Sequence, residues 1–138
     1  MSNMRAFLKQ NRKKAATVKY VASEAFTDEN GNPIEWEIKS LTPREVDKIR
    51  ELHSEIDENG KVKFDNASFN RMLAAKCTVF PDLNDVELQD SYGVMGADEL
   101  VQEMFEKDGE YQKYVQKVLE VGGYTKSDKK LVDEAKNS

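Results

Sequence analysis

Residues 34–49 read IEWEIKSLTPREVDKI, which is a predicted strand followed directly by a predicted helix. Ile34, Trp36 and Ile38 alternate with polar residues, as is typical of a strand that has one buried and one solvated face. The next stretch, Thr42-Pro43-Arg44-Glu45, is a capping box with proline in the first helical turn. We therefore predict that Trp36 is buried and that Thr42 caps the first helix.

A second strand is predicted upstream of this one. From Thr17 onward, Val18, Tyr20 and Ala22 occur at every second position, and residues 28–33, DENGNP, are rich in turn formers. The two strands together predict a β-hairpin over about residues 17–40. Because an isolated hairpin is only marginally stable in water, we expect its apolar face to pack on helices.

The chain from about residue 43 to 121 shows helical spacing of its apolar residues. Asp65 and Asn84 are predicted to cap the second and third helices, and Gly122-Gly123 is predicted to end the last one. The predicted apolar faces of the first two helices are as follows: Val46, Ile49, His53 and Ile56 on the first, and Phe69, Met72, Leu73 and Phe80 on the second.

These elements predict an α+β fold in which an N-terminal β-hairpin packs on a bundle of about five short α-helices. Residues 17–124 should form a single globular domain, since a chain of 138 residues is long enough for one core. Residues 1–16 are predicted to be a basic N-terminal arm or weak helix. Residues 125–138 are rich in charge and poor in apolar side chains, so we predict a flexible tail.

Charge is unevenly distributed along the chain. The net charge is −5, but residues 1–20 carry six bases and no acid, whereas the other residues carry 15 bases and 26 acids. The acidic body should repel nucleic acid, and a basic terminus is most often a solvated tail, so no nucleic-acid partner is expected.

Neither a signal peptide nor an apolar stretch long enough to cross a membrane is present in the sequence, and Cys77 is its one cysteine. These features predict a protein of the reducing cytoplasm with no membrane partner.

The usual constellations of catalytic residues are missing. His53 is the one histidine and, like Cys77, falls within a predicted helix, where a packing role is the commoner one. Residues 28–39 begin like a calcium loop, but Pro33 and Lys39 stand where glycine and glutamate are needed. One cysteine and one histidine cannot complete a zinc site. The sequence therefore predicts no catalytic residue, no metal and no cofactor.

One segment is a candidate for binding a partner. Residues 80–100 read FPDLNDVELQDSYGVMGADEL, in which apolar residues occupy a glycine-containing connection between helices. Such residues either pack across the core or contact a partner. The candidate partner-binding residues are Phe80, Leu83, Tyr92, Val94 and Met95.

This segment resembles the XkdN-like family of phage tail assembly chaperones. VKYVASEAF and NPIEWEIKSL in the hairpin, MRAFLKQNRKK near the N-terminus and GEYQKYVQKVLEVGGY near the C-terminus are similar as well. The resemblance extends from about Met4 to Tyr124.

The resemblance implies a non-enzymatic protein of the bacterial host cytoplasm. It would bind the tape measure protein and keep it soluble while tail tube subunits assemble, and it would be absent from the mature particle. The tail tube protein would be contacted through a frameshifted longer form. Coating a long client would require many copies, with self-association on the tape measure protein. The alternatives are a structural tail-completion or connector protein that stays in the particle, and a small enzyme using His53 or Cys77.

Overall fold

The structure is a computed structural model, and it describes residues 3–124. The predicted tail, residues 125–138, lies outside the described residues. Two 3₁₀ turns, Asn3–Phe7 and Lys9–Asn11, precede the strands and helices. These elements follow in the order β1 (Val18–Tyr20), β2 (Trp36–Ile38), α1 (Pro43–Leu52), β3 (Ser54–Ile56), β4 (Val62–Phe64), α2 (Asn66–Cys77), β5 (Thr78–Phe80), α3 (Val86–Ser91), α4 (Ala97–Glu103) and α5 (Asp108–Val121).

The predicted α+β architecture is confirmed, with the N-terminal hairpin and five helices in place. Strands β1 and β2 are antiparallel, and Tyr20 lies opposite Trp36. The core is centred on Trp36, which is 1% exposed, as predicted. Its ring lies 5.1 Å from that of Tyr114 and 5.5 Å from that of Phe105, measured between centroids. The hairpin is thus fixed to α5 and to the loop before it by aromatic packing.

A third strand, β5, completes this sheet on the other side of β2. Phe80 was predicted on the second helix, and that prediction is wrong because α2 ends at Cys77 and Phe80 lies on β5. Thr78 has extended backbone angles, and the residue before Pro81 is biased away from helix. The sheet order is therefore β1-β2-β5.

A second hairpin, formed by β3 and β4, was not predicted. Ile56 was assigned to the first helix, but α1 ends at Leu52 and Ile56 pairs with Val62 across the two strands. Likewise, His53 is not inside the helix but is its C-cap. The spacing of His53 and Ile56 fits a helix, but the turn at residues 57–60 makes this segment a hairpin.

Helix caps agree with the sequence at two of three positions. Thr42 forms the predicted capping box with Glu45, since each side chain accepts a hydrogen bond from the other residue's backbone N–H, at 3.3 and 3.0 Å. Asp65 caps α2. The third cap is Asp85 rather than Asn84, because Asn84 donates its own N–H to Asp82 in a preceding turn.

Candidate partner-binding surface

We call residues 80–96, from the last residue of β5 to the residue before α4, the connector. Its first half is a turn in which the Asp82 carboxylate accepts from the Asn84 N–H at 3.0 Å. The side-chain amide of Gln89 then donates to the Leu83 carbonyl at 2.8 Å, which ties α3 back to this turn. At the end of α3, Gly93 has a φ of 67°, where glycine is favoured. The connector is therefore held in shape by its own hydrogen bonds.

The five candidate partner-binding residues divide into three groups in the structure. Leu83 is 2% exposed and belongs to the core, so it offers no surface to a partner. Tyr92 and Val94 are half-buried and pack against the core. Phe80 is 52% exposed and Met95 is 95% exposed. The connector thus packs across the core and still leaves two of the five side chains accessible.

Val86, the first residue of α3, is a further exposed apolar side chain that the sequence reasoning missed. It is 71% exposed because α3 turns Leu88 and Gln89, rather than its first residue, toward the body. The signal was available, since an apolar residue directly after the Asp85 cap lies on a different face from Leu88. We define the connector surface as Phe80, Val86 and Met95.

Acidic residues dominate the chain around the connector surface. Residues 81–110 contain ten acids and a single base, Lys107. Eight of the ten acids are exposed and two are half-buried. The ten are Asp82, Asp85, Glu87, Asp90, Asp98, Glu99, Glu103, Glu106, Asp108 and Glu110. Exposed apolar side chains on such an acidic stretch of chain suit a partner that is both apolar and basic.

A cleft lies between α1, α2 and α5, with a volume of about 270 Å³. Most of its lining is apolar, and its charged residues include Asp47 and Arg50, which form an ion pair at 2.7 Å. The apolar side chains that line it are Leu41, Val46, Phe69, Leu73, Val118 and Leu119. It presents no arrangement of nucleophile and base.

The two residues considered for catalysis have structural roles. Cys77 is 3% exposed, and burial raises the pKa of its thiol to about 12, so it is protonated at neutral pH. His53 donates from Nδ1 to the Ile49 carbonyl at 2.7 Å, at the end of α1. Cys77 lines the cleft between α1, α2 and α5, whereas His53 lines a separate cleft beside β3 and β4. Within residues 3–124, no cluster of three or more His, Cys, Asp or Glu side chains could hold a metal ion.

The sequence model of one protein family, described as phage XkdN-like tail assembly chaperone protein, matches residues 4–136. The chain belongs to this family. The resemblance inferred from the sequence is therefore confirmed, and the match continues twelve residues past Tyr124 into the C-terminal segment. A family of chaperones implies a non-enzymatic role in phage tail assembly.

Two relatives come from Bacillus subtilis strain 168. The PBSX phage-like element protein XkdN is 27% identical over 127 residues, covering 89% of this chain and 86% of XkdN. The uncharacterized protein YqbN is 26% identical over 127 residues, covering 89% of this chain and 85% of YqbN. A crystal structure of YqbN superposes with a TM-score of 0.79 at 22% identity and covers 91% of this chain and 99% of that one. At that identity the superposition supports the fold alone.

None of the helices in the described part of the chain is long and apolar enough to span a bilayer.

Proposed function

We propose that this chaperone binds the tape measure protein and keeps it soluble in the host cytoplasm while tail tube subunits assemble around it. In this proposal the protein performs no catalysis and leaves before the particle is complete. The tail tube protein is the second partner, reached through a frameshifted longer form. Membership of the tail assembly chaperone family supports the general role. The choice of client comes from what the family resemblance implies, and the surface chemistry described next is compatible with it.

The observation that carries the proposal is the exposure of Met95, at 95%, beside an acidic stretch of chain. Methionine has a flexible, polarizable side chain, so one surface can fit many different apolar sites along a long client. Phe80 and Val86 are two further exposed apolar side chains of the connector. The carboxylates that neighbour them in sequence favour segments whose apolar stripe is flanked by bases.

Many weak contacts suit this task better than one strong contact. If several copies cover one client, each contact adds to the avidity of the coat. The coat also lowers the concentration of free client that can aggregate. Removal becomes easy once neighbouring copies have been displaced by tube subunits, since each remaining copy holds the client weakly.

The test is co-expression with the tape measure protein of the same phage, with the soluble fraction of that protein as the readout. Val86→Asp combined with Met95→Asp should abolish rescue while leaving the chaperone folded, because both side chains are exposed. Val94 is left unchanged, because it is half-buried against the core and a charge there would disturb the fold.

Val62→Asp is the matched control, because Val62 is 66% exposed but lies on the second hairpin. It should rescue like the unmodified protein. A folded Val86/Met95 double variant that still keeps the tape measure protein soluble would show that the client binds elsewhere. Mass spectrometry of mature particles provides an independent check: finding this chain there would indicate a retained tail-completion or connector protein.

A further inference from the structure

The N-terminal arm, residues 3–16, combines positive charge with exposed apolar side chains. It carries five bases and no acid, namely Arg5, Lys9, Arg12, Lys13 and Lys14. Every residue from 3 to 17 is exposed. Phe7 is 79% exposed, Met4 68% and Leu8 46%. This combination of basic and apolar groups is what the acidic connector surface would recognise.

The arm also has a defined local shape. Its two 3₁₀ turns are closed by backbone bonds from Leu8 to Arg5 at 3.2 Å and from Asn11 to Leu8 at 2.9 Å. The Asn11 side chain adds a bond to the Arg5 carbonyl at 2.7 Å. A segment that already holds its shape loses less conformational entropy when it binds.

We infer that the arm of one copy docks on the connector surface of a second copy. Phe7 and Met4 would contact Val86 and Met95, and the arm's bases would lie among the carboxylates of residues 81–110. The arm and the connector surface are different patches of the same chain, so the contact joins copies head to tail. Self-association would thereby cover the apolar groups that each copy exposes.

The contact itself is independent of the tape measure protein, but one consequence rests on the proposed function. If the client uses the same connector surface, it must displace the arm, so client binding and self-association compete. Copies free in solution would then hold one another's apolar surfaces out of water until a client is made.

The first measurement is the mass of the full chain in solution as a function of protein and salt concentration, by analytical ultracentrifugation. Association should strengthen with concentration at about 50 mM salt and weaken at least tenfold at about 500 mM, because salt screens the charges. A mass of two copies at saturation indicates that two copies exchange arms. A larger mass indicates that successive copies are joined arm to connector surface in a linear assembly.

Two variants, each with one side of the contact disrupted, then test whether the arm binds the connector surface. One has Met4→Asp and Phe7→Asp in the arm, and the other has Val86→Lys and Met95→Lys on the connector surface. Neither should self-associate, yet a mixture of the two should form a complex. The reason is that the arm variant keeps an intact connector surface, and the connector variant keeps an intact arm. Ile56→Lys on the second hairpin is the control and should associate like the unmodified chain.

Several outcomes would overturn the inference. The mixture could remain monomeric while the unmodified chain associates, or Ile56→Lys could weaken association as much as the other variants. The unmodified chain could be monomeric at every concentration, with its arm protected from proteolysis against its own body. A monomeric chain whose arm instead binds a DNA oligonucleotide would assign the arm to nucleic acid.

The tape measure assay remains a separate experiment. If the Val86→Lys, Met95→Lys variant loses self-association but still rescues the client, the arm contact stands and the shared surface is rejected. If it keeps self-association but loses rescue, the arm contact is rejected and the connector surface is assigned to the client alone.

Discussion

The two hairpins in residues 3–124 contain the same four-residue turn. Residues 28–31 and residues 57–60 both read Asp-Glu-Asn-Gly, and the two glycines share a φ of 79°. In each turn the aspartate carboxylate accepts two backbone N–H groups, at 2.9 and 3.0 Å in the first and at 2.9 and 2.8 Å in the second. The local sequence specifies one turn geometry, and the chain uses it twice.

The strands beyond the two turns differ in burial. Trp36 and Ile38 on β2 are at most 1% exposed, whereas Ile56 and Val62, which face each other across β3 and β4, are 75% and 66% exposed. The first hairpin reaches the core through a large aromatic side chain. In the second, Phe64 packs on Phe69 at the near end, and the far end is left to solvent.

A turn sequence therefore determines where a hairpin forms, and the side chains that follow it determine whether the hairpin is part of the core. This explains why one hairpin should be essential to the fold while the other is free to change. The experiments below test that difference, beginning with the largest expected effect.

Truncating one strand side chain in each hairpin should have very different costs. Trp36→Ala should lower the free energy of unfolding by about 3–5 kcal/mol, because a large cavity opens in the core. Ile56→Ala should change it by less than about 0.5 kcal/mol, because the side chain is already in water. Urea unfolding of the two variants measures both. Similar losses would mean that the second hairpin is also integral to the core.

The shared turn permits a matched pair of glycine substitutions. Gly31→Ala and Gly60→Ala each place a Cβ in the left-handed region at a cost of about 1–2 kcal/mol, with no neighbouring atom within 4 Å in either case. For Gly31 the cost should appear in global unfolding, because its hairpin is tied to the core. For Gly60 it should appear as local opening of residues 54–64, measured by amide hydrogen exchange.

If both glycine variants lost the same global stability, the second hairpin would have to unfold together with the body. If neither did, the strain would be relieved within the turn itself, and the positive φ would not be limiting.

The first hairpin and the helix starts were predictable because their signals are local. Alternation around Trp36 and the capping box at Thr42 each depend on residues close in sequence. The second hairpin was missed because Ile49, His53 and Ile56 fit a helical stripe. The helical spacing of these apolar residues predicts a helix that continues to Ile56. In the structure, the turn at residues 57–60 ends that pattern, and residues 54–56 form a strand.

The candidate site was predictable in position but not in detail. Apolar residues in a glycine-containing connection made residues 80–100 a candidate for binding a partner, and Met95 is indeed exposed. The exposure of Val86 follows from its face on α3, but the burial of Leu83 depends on how the connector packs on the core. The role that we infer for the arm depends on complementarity between parts of the chain that are far apart in sequence, and the spacing of apolar residues does not reveal such complementarity.

Each hairpin leads into a capped helix, and removing a cap should lower the stability by less than removing a core side chain. Thr42→Ala should lower the free energy of unfolding by about 1 kcal/mol, because the Glu45 N–H loses its acceptor. Thr42→Gly should cost less, since glycine is itself tolerated at this position. An unchanged denaturant midpoint for Thr42→Ala would mean that the cap contributes nothing measurable.

The smallest expected effect is a shift in titration. Hydrogen bonds with Thr42 hold the pKa of Glu45 below its ordinary value of 4.5, and hydrogen bonds with Ser68 hold the pKa of Asp65 below 3.8. A depressed carboxylate pKa stabilises the folded state above the unfolded value, and that contribution is lost as the pH falls through the folded value. The loss should therefore occur below about pH 4. Thr42→Ala keeps the backbone N–H that lowers the pKa of Glu45 most and removes only the hydroxyl. Carboxyl carbon shifts followed by NMR should therefore show a partial rise in the pKa of Glu45 and no change in that of Asp65. Ser68→Ala should raise the pKa of Asp65 and leave that of Glu45 unchanged. A shift of both carboxylates in either variant would show that the two caps, although they follow separate hairpins, are coupled through the body of the protein.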